Sequence, residues 1–258
     1  MGAVWPLTDR VIQNTLHLIV RTAGVVISLA GIFRFRPYLI SFTLLKSLPQ
    51  MTNLKLTYFD FNGGRGEPVR IALHAAGLAF EDIRWSFPDF MEKRGDKPFH
   101  AVPTLEMDGS IVTQSNALSR YVGKKAGLYP EDAIQALYCD EVMDALEDVN
   151  HYVVQTFGLK DEELKAAREK LKEGRLTVFL QGFEGLLARG GGEYFCDQRL
   201  TIADLKMMVQ LKSLRSGNLD HIETDFVDRI APTLAQYHTR IEQEPVVVAY
   251  YASLATPD

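Results

Sequence analysis

The hydrophobic pattern of the chain changes its period between residues 54 and 77. Every second residue from Leu54 to Tyr58 is apolar, which predicts a short strand that carries a tyrosine near its end. Glycines then supply a turn, Pro68 suits a first helical turn, and apolar residues recur at helical spacing up to Gly77. The stretch predicts a strand, a turn and a helix, so that the phenol can meet a ligand held at the helix start.

Two patterns downstream strengthen a ligand-binding role for this tyrosine, which alone would more often be a packing residue. Val102-Pro103 precedes a short apolar strand and an Asp108-Gly109 hairpin turn. A proline in such a run indicates an edge strand, a bulge or a cis bond. Ser115 then caps a predicted helix. The start of that helix offers backbone N–H donors and a partial positive charge, which suit a carboxylate.

The second half of the chain is predicted to be helical almost throughout. A linker at residues 127–132 separates the halves, because Pro130 ends a helix there. Apolar residues at helical spacing predict two long helices that follow. These residues are Leu137, Val142, Met143, Leu146 and Val149 in the first helix, and Leu164, Ala167, Leu171, Leu176, Leu180 and Leu187 in the second. Thr201 and Asp204 form a capping-box start, to which we assign a structural role.

Taken as a set, these motifs resemble those of a cytosolic glutathione S-transferase. The set consists of Tyr58, Arg65, Glu67, Val102-Pro103, Gln114-Ser115 and Thr201-Ile-Ala-Asp204. The Leu-Thr-Tyr-Phe opening is most similar to the sigma class, which includes glutathione-dependent prostaglandin D synthases and lens S-crystallins. The resemblance covers about residues 52–255. It implies an α/β thioredoxin-like N-terminal domain with a cis-proline, followed by an all-α C-terminal domain, in a homodimer.

This resemblance divides the chain into three segments. Residues 51–129 form the thioredoxin-like glutathione-binding domain, and residues 133–258 form the all-helical domain. Residues 1–50 hold five basic residues and one acid, a net charge of +4 against −9 for the remainder. The apolar stretch at 22–33 is short for a membrane span, which needs roughly 20 residues. We expect residues 1–50 to be a dispensable extension, either a targeting segment or the product of an upstream-extended gene model.

The resemblance implies that glutathione is the co-substrate and that Tyr58 is catalytic. A thiol of pKa about 8.5 is only a few per cent thiolate at neutral pH. A neutral Tyr58 hydroxyl that donates a hydrogen bond to the sulfur anion would stabilise it, because charge-assisted hydrogen bonds are the strong ones. Arg65 adds a positive field nearby, or else pairs with Glu67 or Asp60.

The other glutathione-binding residues follow by position from the resemblance. Val102 pairs through its backbone with the cysteinyl unit, and Gln114 and Ser115 hold the γ-glutamyl carboxylate at the helix start. Asp148 of the partner subunit faces the γ-glutamyl ammonium. The full predicted set is Tyr58, Arg65, Phe90, Arg94, Ala101, Val102, Pro103, Gln114 and Ser115, with Asp148 from the partner subunit.

Several positions depart from the sigma pattern. The turn after Tyr58 is one residue longer than in typical members. Phe90 and Arg94 stand where relatives carry a tryptophan and a lysine for the glycyl carboxylate. His100 and Ala101 stand where relatives often have a lysine. We therefore expect the contact with the glycyl end of glutathione to be altered.

Three acids on one predicted helix raise the question of a metal. Asp144, Glu147 and Asp148 are spaced so that they share a helix face. For Asp144 and Glu147 we favour a solvated acidic surface over a divalent-cation site at the dimer interface. We expect that no metal is required.

Composition narrows the class of protein and its compartment. The net charge of −5 gives no hint of nucleic-acid binding. The two cysteines, Cys139 and Cys196, show neither CxxC nor zinc spacing, and a reducing compartment is the simplest assumption. No cysteine stands at the Tyr58 turn, which disfavours a thioredoxin-type oxidoreductase. We expect a cytoplasmic protein, or an organellar one if residues 1–50 act as a targeting segment.

The favoured function is conjugation of the glutathione thiolate to hydrophobic electrophiles. Phe59, Phe61, Tyr152 and Phe157 are the candidates for an apolar pocket that takes the second substrate. One alternative is a glutathione-dependent isomerase similar to prostaglandin D synthase. Another is a non-catalytic ligand-binding or structural member of the fold. The presence of Tyr58 together with the other motif residues favours the enzyme.

Overall fold

The computed structural model describes residues 20–22, 25–27 and 53–255. The chain divides into two compact units, residues 1–48 and residues 49–258. In the first unit, β1 (Val20–Thr22) and β2 (Val25–Ile27) pair antiparallel. The rest of the predicted extension, including most of the apolar stretch at 22–33, lies outside the described residues.

Within residues 53–255, the second unit begins with a four-stranded mixed sheet. Its strands are β3 (Leu54–Phe59), β4 (Glu81–Trp85), β5 (Thr104–Met107) and β6 (Ser110–Val112). The order is β4-β3-β5-β6, in which β3 and β4 are parallel and the other pairs are antiparallel. The predicted Asp108-Gly109 hairpin turn is confirmed, because these residues join β5 to β6 at φ of 49° and 87°.

Helices follow the strands of this sheet. Their bounds are Glu67–Ala75 for α1, Phe87–Lys93 for α2 and Ser115–Lys125 for α3, with short 3₁₀ turns at Arg94–Asp96 and Pro98–His100. Helix α1 carries Pro68 in its first turn, and Gly77 follows its end at φ 62°. The predicted strand, turn and helix at residues 54–77 are therefore confirmed.

The rest of the second unit is helical, as predicted. Its helices are α4 (Ala133–Val154), α5 (Asp161–Leu171), α6 (Thr177–Arg189), α7 (Ile202–Arg215), α8 (Phe226–Ile230), α9 (Pro232–Ile241) and α10 (Pro245–Ala255). Among the described residues, none of the helices has both the length and the apolar composition that a bilayer crossing requires. An α/β thioredoxin-like domain followed by an all-α domain is thus the fold, as the sequence predicts.

Two details of the helical prediction are wrong. The pattern from Leu164 to Leu187 predicts one helix, but a π-helical turn over Lys172–Leu176 separates α5 from α6. Gly174, at φ −109° and ψ −106°, breaks the helical geometry inside that turn. Leu137, predicted to face the core, is 60% exposed, because the buried stripe of α4 begins two residues later.

Helix α7 is the centre of the helical domain. Every residue from Thr201 to Val209 is buried, and α7 packs against α1, α3, α4 and α9. The predicted capping box is confirmed, since Asp204 accepts hydrogen bonds from the backbone N–H and the hydroxyl of Thr201 at 2.8 and 2.7 Å. The hydroxyl of Tyr237 on α9 also donates to Asp204, at 2.8 Å. This packing brings the start of α1 against α4 and α7.

Candidate active site

Tyr58 lies at the carboxyl end of β3, next to the start of α1. It is 5% exposed, and its ring packs against Phe59 and Phe61 at centroid distances of 5.2 and 5.8 Å. The hydroxyl oxygen accepts a hydrogen bond from the backbone N–H of Arg65 at 2.9 Å. A strand end and a helix start therefore hold the phenol between them.

Two glycines leave the room that this arrangement needs. A Cβ on Gly64 would lie 2.5 Å from the Tyr58 hydroxyl oxygen, and Gly64 has φ +61°. A Cβ on Gly66 would lie 2.4 Å from the Cδ1 atom of the same ring. Both distances are shorter than van der Waals contact, so only glycine lets this turn approach the ring so closely.

The surroundings of Tyr58 keep its proton in place. Burial raises the pKa of the Tyr58 hydroxyl above its ordinary value, although the Arg65 N–H bond and the Arg65 and Arg70 charges oppose this effect. The charge of Glu147 also raises the pKa of Tyr58. At neutral pH the hydroxyl is therefore protonated and can donate a hydrogen bond to an anion beside it.

Arg65 forms its ion pair with a residue that is distant in sequence. Its Nε donates to Oε2 of Glu147 on α4 at 2.6 Å, so the predicted pairing with Glu67 or Asp60 is wrong. The Arg65 side chain is 32% exposed. Within residues 53–255, its Nη groups make no hydrogen bond. Four N–H donors of the guanidinium therefore remain available to a ligand.

Glu147 accepts from three side chains, so the predicted solvated acidic surface is wrong for this residue. Its Oε2 is bonded to Arg65, and its Oε1 accepts from the Ser115 hydroxyl and from the Lys206 ammonium, both at 2.7 Å. Burial alone would raise the pKa of Glu147, but the charges of Lys206 and Arg65 lower it to about 2. Glu147 is therefore ionised and links α3, α4, α7 and the start of α1.

Lys206 is a residue of this site that the sequence analysis does not identify. It extends from α7 with 4% of its side chain exposed, and it also donates to the side-chain oxygen of Asn116. Burial lowers the pKa of Lys206, and the charge of Glu147 opposes that effect. The available signal is a lysine among the largely apolar residues 202–209, where a helix buried on all sides carries few charges.

The start of α3 differs from the prediction by one residue. Gln114, at φ 73°, occupies the N-cap position, and Ser115 is the first helical residue. Ser115 therefore does not cap the helix, because its hydroxyl donates to Glu147 instead. The first helical hydrogen bond of α3 runs from the backbone N–H of Leu118 to the carbonyl oxygen of Gln114, at 3.0 Å. The N–H groups before it are candidate donors to an anion.

The peptide bond between Val102 and Pro103 is cis, as the resemblance implies. Pro103 is buried, Val102 is half-buried and Ala101 is exposed. Among residues 53–255, the backbone N–H and C=O of Val102 have no hydrogen-bonding partner. Both groups are therefore free to pair with an extended ligand in the manner of an added strand.

Phe90 and Arg94 extend the aromatic group around Tyr58. The Phe90 ring packs edge-on against Phe59 at 5.1 Å, and the Arg94 guanidinium carbon lies 5.8 Å from the centre of the Phe90 ring. Phe90 is half-buried, whereas Arg94 is exposed. The two residues thus present an aromatic wall and a solvent-facing cation.

The remaining acids of α4 differ from Glu147. Asp148 is exposed and makes no ion pair or hydrogen bond within the described part of the chain. Asp144 accepts from the Asn116 amide at 2.5 Å and from Arg120 at 3.3 Å. No group of three or more His, Cys, Asp or Glu side chains among the described residues is arranged to hold a metal ion. Asp148 is therefore open to solvent or to another chain.

A cleft of about 370 Å³, measured out to its open mouth, lies beside Arg65. It is lined by Gly64, Arg65, Pro68, Leu146, Glu147, Asn150, Lys206, Val209, Gln210 and Ser213. Phe59, Phe61, Tyr152 and Phe157, predicted to line the pocket of the second substrate, do not line this cleft, and that role stays a prediction. Tyr152 lines a separate small apolar cavity, and Phe61 and Phe157 are 49% and 58% exposed. The side chains that α4 and α7 contribute to the cleft are largely polar.

A second cation, Arg70, holds the turn that follows β3. Its side chain is 1% exposed, and it donates to the backbone oxygens of Phe59 and Phe61 at 3.2 and 3.0 Å. It also pairs with the carboxylates of Glu67 and Asp82 at 3.2 and 3.1 Å. Local sequence patterns do not reveal this cluster. Arg70 fixes the backbone on both sides of the residue that follows the strand.

Comparisons with known proteins agree with this geometry. The family model described as the glutathione S-transferase N-terminal domain matches residues 54–124, and that of the glutathione S-transferase C-terminal domain matches residues 147–254. Glutathione S-transferase 1 of Ascaris suum is 32% identical over 174 residues, which cover 64% of this chain and 82% of the relative. Hematopoietic prostaglandin D synthase of Gallus gallus is 28% identical over 201 residues, which cover 78% and 96%.

A solved structure gives the same result. The prostaglandin synthase D of Nilaparvata lugens aligns with a TM-score of 0.70 and 28% identity, covering 80% of this chain and 100% of that one. A thioredoxin-like domain followed by an all-α domain defines the class of glutathione transferases. The chain belongs to the glutathione S-transferase family, and the predicted enzyme class is confirmed.

Proposed function

We propose that this chain conjugates glutathione to electrophiles and that Tyr58 stabilises the glutathione thiolate. The observation that carries the proposal is the Tyr58 hydroxyl, held 2.9 Å from the Arg65 N–H beside a cleft between α1, α4 and α7. A protonated phenol at that position donates to a sulfur anion. Its raised pKa keeps its own proton from leaving in place of the thiol proton.

The reaction follows from this arrangement. The bound thiol loses its proton to solvent, and the sulfur anion accepts hydrogen bonds from Tyr58 and the free N–H groups of Arg65. The sulfur then forms a bond to an electrophilic carbon, which either releases an anionic leaving group or takes up a proton at the neighbouring carbon. The cleft side chains orient that second substrate.

The backbone and two charged ends hold the rest of glutathione in this proposal. The free N–H and C=O of Val102 pair with the cysteinyl unit, and the start of α3 at Gln114 and Ser115 receives the γ-glutamyl carboxylate. Phe90 and Arg94 serve the glycyl end, next to Ala101 and Pro103. Asp148 of the partner subunit faces the γ-glutamyl ammonium.

We also propose a homodimer of the sigma class that works in the cytoplasm. Two exposed apolar side chains support the dimer. Phe99 is 78% exposed at φ 58°, three residues before Val102, and Leu137 on α4 is 60% exposed. Exposed aromatic rings of this kind are typical of protein interfaces. In this proposal residues 1–50 are a dispensable extension.

A glutathione-dependent isomerase is the second candidate. Two relatives are named as prostaglandin D synthases, one from Gallus gallus and one from Nilaparvata lugens. The same thiolate would serve that reaction, in which glutathione is not consumed. Product analysis separates the two activities, because conjugation removes glutathione one for one and isomerisation does not.

The test of the proposal is the thiol titration of bound glutathione in the full chain. Ultraviolet thiolate absorbance is followed against pH for the native protein and for Tyr58→Phe. We expect the native protein to lower the thiol pKa below its ordinary value of about 8.5, and Tyr58→Phe to lose most of that decrease. Turnover should fall by at least about tenfold, with little change in glutathione affinity.

Tyr121→Phe is the matched control, because it removes a hydroxyl from a partly buried tyrosine on α3 and should titrate like the native protein. Equal thiol pKa values in the native and Tyr58→Phe proteins would contradict the proposed catalytic role of Tyr58. An absence of glutathione binding would instead favour the non-catalytic member of the fold.

A further inference from the structure

Lys206 is the buried cation at the inner side of the cleft. Its ammonium donates to Oε1 of Glu147 at 2.7 Å, and the other oxygen of Glu147 accepts from Arg65 at 2.6 Å. The backbone N–H of Arg65 contacts the Tyr58 hydroxyl. Arg65, Glu147 and Lys206 therefore form a line of alternating charge that ends beside Tyr58, and we name these three residues the charge chain.

The sign of the charge chain depends on Lys206. Arg65 and Glu147 alone would be a neutral pair, and opposite charges 2.6 Å apart largely cancel each other at a third group. With Lys206 added, the charge chain carries one positive charge in excess. Lys206 is 4% exposed, against 32% for Arg65 and 26% for Glu147, and an excess positive charge favours an anion placed beside it. A thiolate beside Tyr58 would be that anion.

The acids beside the charge chain share cations of their own, since Arg70 pairs with Glu67 and Asp82, and Arg120 pairs with both Asp140 and Asp144. The charge of Asp144 also acts on Lys206, where it favours the ammonium form, as the charge of Glu147 does. The charge of Glu147 does reach the Tyr58 hydroxyl, because it raises the pKa of that group. An uncompensated Glu147 would oppose a second anion at the same place.

We propose that Lys206 is a positioning residue that favours the thiolate form of bound glutathione, because it offsets Glu147 and leaves the charge of Arg65 uncancelled. This inference rests on the proposed function of the site. Lys206 does not touch the sulfur; it acts through Glu147 and Arg65. Glu147 in turn orients the Arg65 guanidinium, which explains why an acid is present in a site that holds an anion.

The first experiment compares Lys206→Met, which has a side chain of similar length without charge, with the native full chain. We expect the thiol pKa of bound glutathione to rise by about one unit, which lowers the thiolate fraction at neutral pH about tenfold. Turnover should fall by the same factor at neutral pH and recover at high pH. The KM for glutathione should change little. Lys206→Arg, which keeps the charge, should retain most of the decrease in thiol pKa.

Lys212→Met is the matched control on the same helix. The Lys212 side chain is 46% exposed and pairs with Glu242 at 3.7 Å. This variant should leave the thiol titration and the turnover unchanged. The control shows whether the loss of any positive charge on α7 has the effect, or only the loss of the ammonium that is bonded to Glu147.

Variants that change the net charge of the charge chain in both directions test the role of Lys206 more directly than Lys206→Met alone. Glu147→Gln leaves two positive charges, so the thiol pKa should fall below the native value. Glu147→Gln combined with Lys206→Met leaves one, so the double variant should return towards the native value. If the role of Lys206 were purely structural, the losses caused by the two substitutions should add in the double variant. If Lys206→Met does not fold, Glu147→Gln alone decides between these outcomes.

Three results would overturn the inference. A native thiol pKa in Lys206→Met would overturn it while leaving the Tyr58 mechanism intact. A rise in thiol pKa with Glu147→Gln would show that the carboxylate acts only by orienting Arg65. If the native protein shows no Tyr58-dependent decrease in the thiol pKa, the proposed function is wrong, and the role of Lys206 is wrong with it.

Discussion

Arg65 lies in the turn before α1 and Arg70 lies within α1, five residues later, yet the two arginines have different roles. Arg70 is 1% exposed, pairs with Glu67 and Asp82, and uses its other N–H groups on two backbone carbonyls. Arg65 is 32% exposed, pairs with Glu147 through Nε, and leaves its Nη groups without a protein partner in the described chain. The number of satisfied donors, rather than burial alone, separates the two residues.

This difference explains how one short segment combines rigidity with reactivity. A buried cation whose N–H groups are mostly bonded to carboxylates and backbone carbonyls fixes the backbone but has little left to offer a ligand. A cation whose N–H donors have no acceptor in the protein can donate them to a bound anion. The Arg70 cluster therefore holds the turn, and in the proposed mechanism the charge chain at Arg65 receives the thiolate.

The largest effect that this comparison predicts is on stability at Arg70. Arg70→Met should lower the free energy of unfolding by about 3–5 kcal/mol, because it leaves the buried Glu67 carboxylate without its counter-ion. Urea denaturation of the variant and the native chain measures this loss. Arg229→Gln is the control, since that side chain is 55% exposed and should change stability by less than about 0.5 kcal/mol. A loss below about 1 kcal/mol for Arg70→Met would contradict the structural role.

The next effect is a pH dependence of stability that comes from Glu147. Its pKa is about 2 in the folded chain and about 4.3 when unfolded, so the folded state binds fewer protons between these values. The stabilisation is present above pH about 4.5 and is lost as the pH falls towards 2. It amounts to at most about 3 kcal/mol.

Urea denaturation at pH 7, 5, 4 and 3 tests this dependence with the native chain and Glu147→Gln. We expect the gap in unfolding free energy between the two proteins to narrow as the pH falls. Parallel curves across that range would show that Glu147 is not ionised and paired as described.

The smallest effect on stability is predicted at Arg65. Arg65→Met leaves Glu147 bonded to Lys206 and Ser115, so the free energy of unfolding should fall by less than about 1 kcal/mol. Turnover should nevertheless fall by at least about tenfold, since a free cation beside the thiolate is lost. Steady-state kinetics beside urea denaturation gives both numbers. A loss of stability as large as that of Arg70→Met would erase the distinction between the two arginines.

Local patterns in the sequence predict much of the fold. The strand that ends at Tyr58, the helix stop at Gly77, the Asp108-Gly109 turn and the capping box at Thr201 are all signalled by neighbours within a few residues. Short-range steric and hydrogen-bonding rules decide these features, so one sequence is enough to find them. The family resemblance added the cis bond before Pro103.

The charge chain could not be predicted in the same way. The bond from Arg65 to Glu147 spans 82 residues, and the bond from Lys206 to Glu147 spans 59. No local rule relates these positions, and helix periodicity assigned Glu147 to a polar face because it cannot show what packs on that face. The π turn at Gly174 and the exposed Leu137 were missed for a similar reason, since packing between helices rather than spacing decides them.

The polar bonds of Glu147 have a consequence for protein engineering. Glu147 and Lys206 belong to the helical domain, whereas Arg65, Ser115 and Asn116 belong to the thioredoxin-like domain. A chimera that joins one domain of this chain to the complementary domain of a relative would separate charges that pair with each other in this chain. Such a hybrid would bury polar groups without partners at the contact between its domains. A working chimera should therefore keep Glu147 and Lys206 together with Arg65, Ser115 and Asn116.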